Sequence, residues 1–158
     1  MKNRIILLLI PVVLILLILV FIKLNADKED KFEELVGLQV INESGSYDSE
    51  AEKKSNFIIV LTNQSFLKPE MEFSVYVDGI KIITQNCKVE GQHQSYNYYY
   101  FLEGKHEIKV KTADGTELVR IIDLNAKMPI WNIFTYWNSE KDGASLMCDK
   151  METPFIWD

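Results

Sequence analysis

Residues 5–22 (IILLLIPVVLILLILVFI) are eighteen consecutive apolar residues without a charge, close to the length a helix needs to cross the hydrocarbon core of a bilayer. Lys2 and Arg4 precede the run and Lys23 follows it directly. A cleaved signal peptide shares the basic start, but its apolar core is ordinarily about 7–15 residues and leads into small residues before the cut. Here the one candidate cut follows Ala26, with bulky Leu24 two residues before it, and no cysteine stands directly after the run to accept a lipid. The run therefore reads as a retained signal anchor, with cleavage after Ala26 to a secreted domain as the alternative. Pro11 removes one backbone hydrogen bond, which membrane helices tolerate. Lys28 and Lys31 also follow the run, so the basic residues alone do not set its direction. The exported character of the remaining chain does, placing residues 1–4 in the cytoplasm and the C-terminal domain outside the cell membrane.

Removing residues 1–24 takes away three of the 17 basic residues and none of the 23 acidic ones, leaving a formal charge of −9. Nucleic-acid affinity rests on neutralising phosphates with Lys and Arg, so nucleic acid is excluded as a partner. Lying flat on an anionic leaflet is excluded for the same reason. The expected partners are the membrane, through the anchor, and another membrane or envelope protein. Residues 23–35 are a charged stalk, and 36–158 form one domain large enough to bury a core without a metal or other cofactor.

That domain carries β signals. VGLQVIN (36–42) and NFIIVLTN (56–63) are short runs rich in branched residues, separated by a polar loop at 43–56. Two Asp-Gly turns predict hairpins by their pairing. Asp78-Gly79 sets Val77 opposite Ile80 and Val75 opposite Ile82. Asp114-Gly115 sets Val110 opposite Val119 and Ile108 opposite Ile121, with Lys109 opposite Arg120. Further strands are expected at 95–102, 130–137 and 154–157, eight or nine in all. Short strands at near-regular spacing, with no soluble helix, predict an all-β fold, an antiparallel immunoglobulin-like β-sandwich, with a closed barrel as the alternative.

FSVYVDGI (73–80), followed after a gap by LEGKHEIKV (102–110), resembles the V-x-V-D-G … L-x-x-G-x-H-x-I-x-V layout of bacterial extracytoplasmic immunoglobulin-like domains of PEGA type. The small-Thr-Pro turn that follows the first hairpin in that family is absent. The resemblance implies a binding or scaffold module and carries over no catalytic residue.

Direct tests for chemistry point the same way. Ser65-Phe-Leu-Lys68 matches S-x-x-K, and Lys111-Thr-Ala113 is close to K-T-G, but a penicillin-recognising site needs the Ser and Lys on one helical face, whereas Ser65 lies between strands just before Pro69. Asn138 to Asp149 approximates a calcium loop with Asn leading, Asp at the twelfth position and strand residues where a helix should enter. An acidic loop is the simpler reading, and no metal site is assigned. His93 and His106 have no ligand-spaced partner. Cys87 and Cys148, the only cysteines, are either joined in a disulfide, contributing about 4 kcal/mol in a chain-entropy account, or are two free thiols. Tyr96, Tyr98, Tyr99, Tyr100, Trp131, Phe134, Tyr136 and Trp137 exceed what one core takes in. Tyr98 and Tyr100 share a strand face and are the candidate partner-binding residues, with core or edge packing as the alternative. The expected function is thus a single-pass interaction module without catalysis. The alternatives are an extracytoplasmic enzyme or enzyme subunit with a site not legible here, and a secreted ligand-binding domain.

Overall fold

The structure is a computed structural model and describes residues 15–20, 23, 38–44, 46–89, 94–125 and 129–152. The chain divides into two units, Met1–Leu38 and Gln39–Asp158. In the first, residues 15–20 are helical and every one of these apolar side chains is exposed. Among the described residues no helix is long and apolar enough to cross a membrane. Most of the expected span at 5–22 and of the stalk at 23–35, together with His93 and the expected strand at 154–157, lie outside the described residues.

The second unit is all-β. Among the described residues its strands are β1 (Gln39–Ser44), β2 (Phe57–Asn63), β3 (Glu70–Val77), β4 (Ile80–Lys88), β5 (Gln94–Tyr100), β6 (Gly104–Thr112), β7 (Glu117–Leu124), β8 (Ile130–Ser139) and β9 (Gly143–Met151), with one short helix, α1 (Ser49–Lys54). They form a five-stranded sheet, β1-β5-β2-β8-β9, and a four-stranded sheet, β4-β3-β6-β7. Pairing is antiparallel except between β2 and β8, which run in parallel at the centre of the larger sheet. A parallel pair needs a long crossover, and here the β3, β4, β6 and β7 sheet lies within it. Every residue of β2 is buried, as expected for an unbroken apolar run covered on both faces.

Phe57, Ile59 and Leu61 of β2 and Phe134 and Tyr136 of β8 form the core with Phe73, Val75, Val77, Ile108 and Val110 of the smaller sheet, all fully or almost fully buried. Phe73 meets the Tyr136 ring edge-on at 6.5 Å across the two sheets, the favoured geometry for aromatic pairs. Buried polar groups on the same inner faces are partnered: Ser95 donates to Gln85 of β4, and the Asn97 amide donates to Ser95 Oγ at 3.0 Å.

Both predicted hairpins form, each with a register correction. In the first, Asp78 (φ 49°) and Gly79 (φ 84°) take the left-handed conformations of a type I′ turn, and Val77 pairs with Ile80 as expected. A bulge at Ile82 then places Val75 opposite Ile83 instead of Ile82. The extra residue reverses the alternation, so Ile83 and Cys87 face inward. In the second, the loop has three residues, not two. The Thr112 amide donates to the Thr116 carbonyl at 2.9 Å, Gly115 donates back to Thr112, and Gly115 sits at φ 89°. Val110 therefore faces Leu118, Ile108 faces Arg120, and Lys109 faces Val119. Ile122 and Leu124 turn inward while Val119 and Ile121 are exposed, and the expected Lys109–Arg120 pair does not arise.

Two further corrections concern segments read as loops. Within 43–56, α1 forms because the Asp48 side chain caps it, accepting from the amides of Glu50 (2.9 Å) and Ala51 (3.1 Å), with Glu50 and Glu52 in its first turn and Lys53 and Lys54 in its last. Within 138–149, β9 runs back along β8 in an unbroken antiparallel register after a tight turn. A calcium loop is not formed there: the Ser139 hydroxyl accepts from the Asp142 amide at 3.0 Å and closes the turn.

Candidate docking surface

Side chains on the outer face of the five-stranded sheet follow from its registers. Ile58, Trp131 and Met151 form one cross-strand row, Val60, Ile133 and Asp149 the next, and Thr62, Thr135 and Met147 the third. Trp137 and Gln64 continue the face beyond them. The first rows are closed over. Ala51 of α1, Tyr96 and Tyr98 pack with Ile58, Val60, Trp131 and Ile133 in one apolar cluster, and Tyr47 stacks on Trp131 at 6.1 Å. Tyr96 and Tyr98 meet the same indole edge-on at 6.3 and 6.5 Å.

The third row and the β9 side of the first two are open. A groove of about 400 Å³ runs over Thr62, Gln64, Ile133, Thr135, Trp137, Met147, Asp149 and Met151. Its walls are mostly apolar, and Asp149 is its one charged lining residue. Trp137 is 43% and Met147 50% exposed. At the same end of the sheet the loop after β2 projects Phe66, 83% exposed, and Leu67, 51% exposed. That loop is fixed from within: Ser65 is buried and its hydroxyl donates to the Asn138 carbonyl at 3.1 Å, while the Gln64 amide donates to the Tyr136 carbonyl at 2.9 Å.

A carboxylate anchors this end. Asp114 accepts from the Tyr136 hydroxyl at 2.6 Å, the Thr112 hydroxyl at 2.7 Å and the Thr116 amide at 3.2 Å, and Lys68 Nζ lies 3.3 Å away. Burial alone would raise the Asp114 carboxyl, but the hydrogen bonds from Tyr136, Thr112 and Thr116 outweigh it and hold the group well below the usual carboxylate range. Burial, together with the bond to Asp114, pushes the Tyr136 phenol up to about 12.

The residues expected to bind a partner are placed differently. Tyr98 is fully buried beneath α1 and its hydroxyl accepts from the Asp48 amide at 2.7 Å. Its ring therefore holds the helix onto the sheet and is closed to a partner. Tyr100 is half-buried at the opposite end of the sheet, paired with Gln39. Among the described residues the exposed rings on this face are Trp137 and Tyr47, and of the two Trp137 lines the groove. Ser65 and Lys68 form a turn, with the Lys68 amide donating to the Ser65 carbonyl at 3.3 Å, and do not share a helical face. His106 is buried, with Nδ1 2.8 Å from Asp78 Oδ2 and Nε2 2.9 Å from the Leu102 carbonyl, so one ring nitrogen ties β6 to the first hairpin and the other to the segment that precedes β6. Among the described residues no group of three His, Cys, Asp or Glu is placed to hold a metal.

Cys87 and Cys148 are free thiols. They lie on opposite flanks: β4 packs over β2, whereas β9 packs against β7 at the other edge of the smaller sheet. Burial pushes Cys87 up to about 12 and Cys148 up to about 11, so neither is an activated nucleophile. A reductant is accordingly expected to leave the melting temperature unchanged. Mass spectrometry after alkylation of the native protein should find Cys148 modified first and Cys87 only on unfolding.

Comparison with family models, with curated proteins and with solved structures finds no match to this chain.

Proposed function

We propose that this chain is a single-pass, membrane-tethered extracytoplasmic module whose immunoglobulin-like sandwich, of PEGA type, docks a membrane or envelope protein through the open half of its outer sheet face. The observation that carries the reading is the apolar groove over Thr135, Trp137 and Met147 beside the projecting Phe66 and Leu67. Contiguous exposed apolar surface rimmed by polar residues marks an interaction site on a soluble domain, and a half-exposed Trp is a frequent binding anchor. Asp149, the groove's one charged lining residue, together with a formal charge of −9 beyond residue 24, fits an apolar protein segment that carries a Lys or Arg.

The chain enters the sandwich at the end of the sheet opposite the groove. Gln39 opens β1 opposite Tyr100, and Tyr99 faces Phe57, the first residue of β2. The loop with Phe66 follows the last residue of β2. Entry and loop are thus separated by the length of a seven-residue strand, about 20 Å. For the tether itself, the eighteen-residue apolar run and the exposed apolar helical stretch at 15–20 are the support.

The test uses the full-length tagged chain in cells, fractionated, cross-linked and purified, beside Trp137→Ala and Asp149→Lys. The wild-type chain is expected in the membrane fraction with a defined protein partner. Each substitution should weaken that recovery, Trp137→Ala by about 2 kcal/mol, roughly thirtyfold in affinity. Equal recovery with both variants would refute the groove, and a chain in the medium lacking residues 1–26 would refute the tether.

A further inference from the structure

The geometry points to a second copy of this chain as the occupant of the β9 edge: we propose that two copies pair β9 against β9 in antiparallel register about Met147, joining their five-stranded sheets. An outer strand offers a row of unpaired N–H and C=O groups, and proteins ordinarily blunt such edges with bulges or charges. The four outer strands differ in this respect. The pairing of β1 is broken by a bulge between Val40 and Asn42, and that of β4 by the bulge at Ile82. The β7 strand carries Glu117, Arg120 and Asp123 spread along its length. By contrast, β9 is regular over all nine residues, opens with Gly143, Ala144 and Ser145, and bears charge only at Asp149 and Lys150. Among the described residues it is the outermost strand of its sheet.

Strand length sets the register, and the charges permit it. Antiparallel self-pairing about Met147 sets Ser145 opposite Asp149, Ala144 opposite Lys150, and Gly143 opposite Met151. All nine residues are used and no like charges oppose each other, which would be destabilising. Pairing about Asp149 would oppose two carboxylates. A shift by one residue would turn the inner face of one sheet to the outer face of the other. About Met147 the two outer faces stay on one side, and the two half-exposed Met147 side chains meet across the two-fold axis, as an isologous interface requires. The grooves then stand side by side on one continuous sheet face. This pairing does not depend on the docking reading, because it uses the strand edge and leaves the groove open.

The test is made on the full chain in detergent micelles in a Cys148→Ser background, with Met147→Cys or Ser145→Cys added. Facing Met147 positions are within disulfide reach, whereas Ser145 lies four residues from its own copy, about 13 Å along the strand. Mild oxidation is expected to yield covalent dimer at least tenfold more from Met147→Cys than from Ser145→Cys, and light scattering of the wild-type chain should give the dimer mass. A monomeric wild type, or equal cross-linking at both positions, would overturn the proposal. Dimer without any recovered partner would leave the edge pairing standing and remove the docking reading instead.

Discussion

Trp131→Ala is expected to lower stability by about 3–5 kcal/mol, the range for truncating a large buried aromatic. The indole is fully buried and is the centre of the layer on the outer face, touched by Tyr47, Tyr96 and Tyr98. Its removal opens a cavity in the cluster on which α1 rests through Ala51. Total stabilities of domains this size are about 5–15 kcal/mol, so the variant should lose a large part of its margin and unfold at markedly lower urea concentration. Trp131→Phe is a sharper comparison. The indole Nε1 has no hydrogen-bond partner among the described residues, so this change loses ring volume without breaking a hydrogen bond, and should cost well under half as much. Urea unfolding of the two variants, followed by circular dichroism, checks both numbers.

Asp114→Ala is expected to cost about 3 kcal/mol. It leaves the buried Tyr136 hydroxyl without its acceptor, while the Thr112 hydroxyl keeps only the Thr116 carbonyl at 3.0 Å, and unsatisfied partners of a charged group carry penalties of this order. The same site predicts an acid response. A carboxyl whose folded pKa lies below its unfolded value contributes stability that is complete above the unfolded pKa and is lost as pH falls toward the folded one. The hydrogen bonds to Asp114 place its folded value below the usual range. Stability should therefore fall from about pH 4 downward, and Asp114→Asn should flatten that slope. For Tyr136 the sign is opposite: its phenol is pushed up to about 12, so its contribution is intact below about pH 10 and is lost as pH rises toward 12. A melting-temperature profile of wild type, Asp114→Asn and Tyr136→Phe reads both limbs.

The hairpins were legible because an Asp-Gly turn and a two-residue alternation agree, and the turn positions are where the sequence puts them. Their registers were not. The bulge at Ile82 and the third loop residue closed by Thr112 and Thr116 are each a one-residue change, and one residue exchanges the faces of a strand. Ile121 reads as core for that reason and is exposed. The helix α1 had a signal in Asp48 at its cap and the Glu-to-Lys order through Glu50, Glu52, Lys53 and Lys54, but six residues carry no helical periodicity to find. The docking face was hidden by β9. Reading 138–149 as an acidic loop removed Met147 and Asp149 from any strand, and without them Trp137 had no neighbours across the sheet. Tyr98 is a candidate partner-binding residue in the sequence because its cover comes from Asp48 and Ala51, about fifty residues earlier in the chain, a contact no local pattern encodes.

The most direct test of the groove as the working surface is photo-cross-linking in living cells. A photoreactive residue replaces Trp137 in one full-length chain and Lys111, exposed on the outer face of the smaller sheet, in another. A defined adduct with another membrane or envelope protein from position 137 and none from 111 is the result expected of a groove-docking module. Adducts from 111 alone, or the same adducts from both positions, would contradict it.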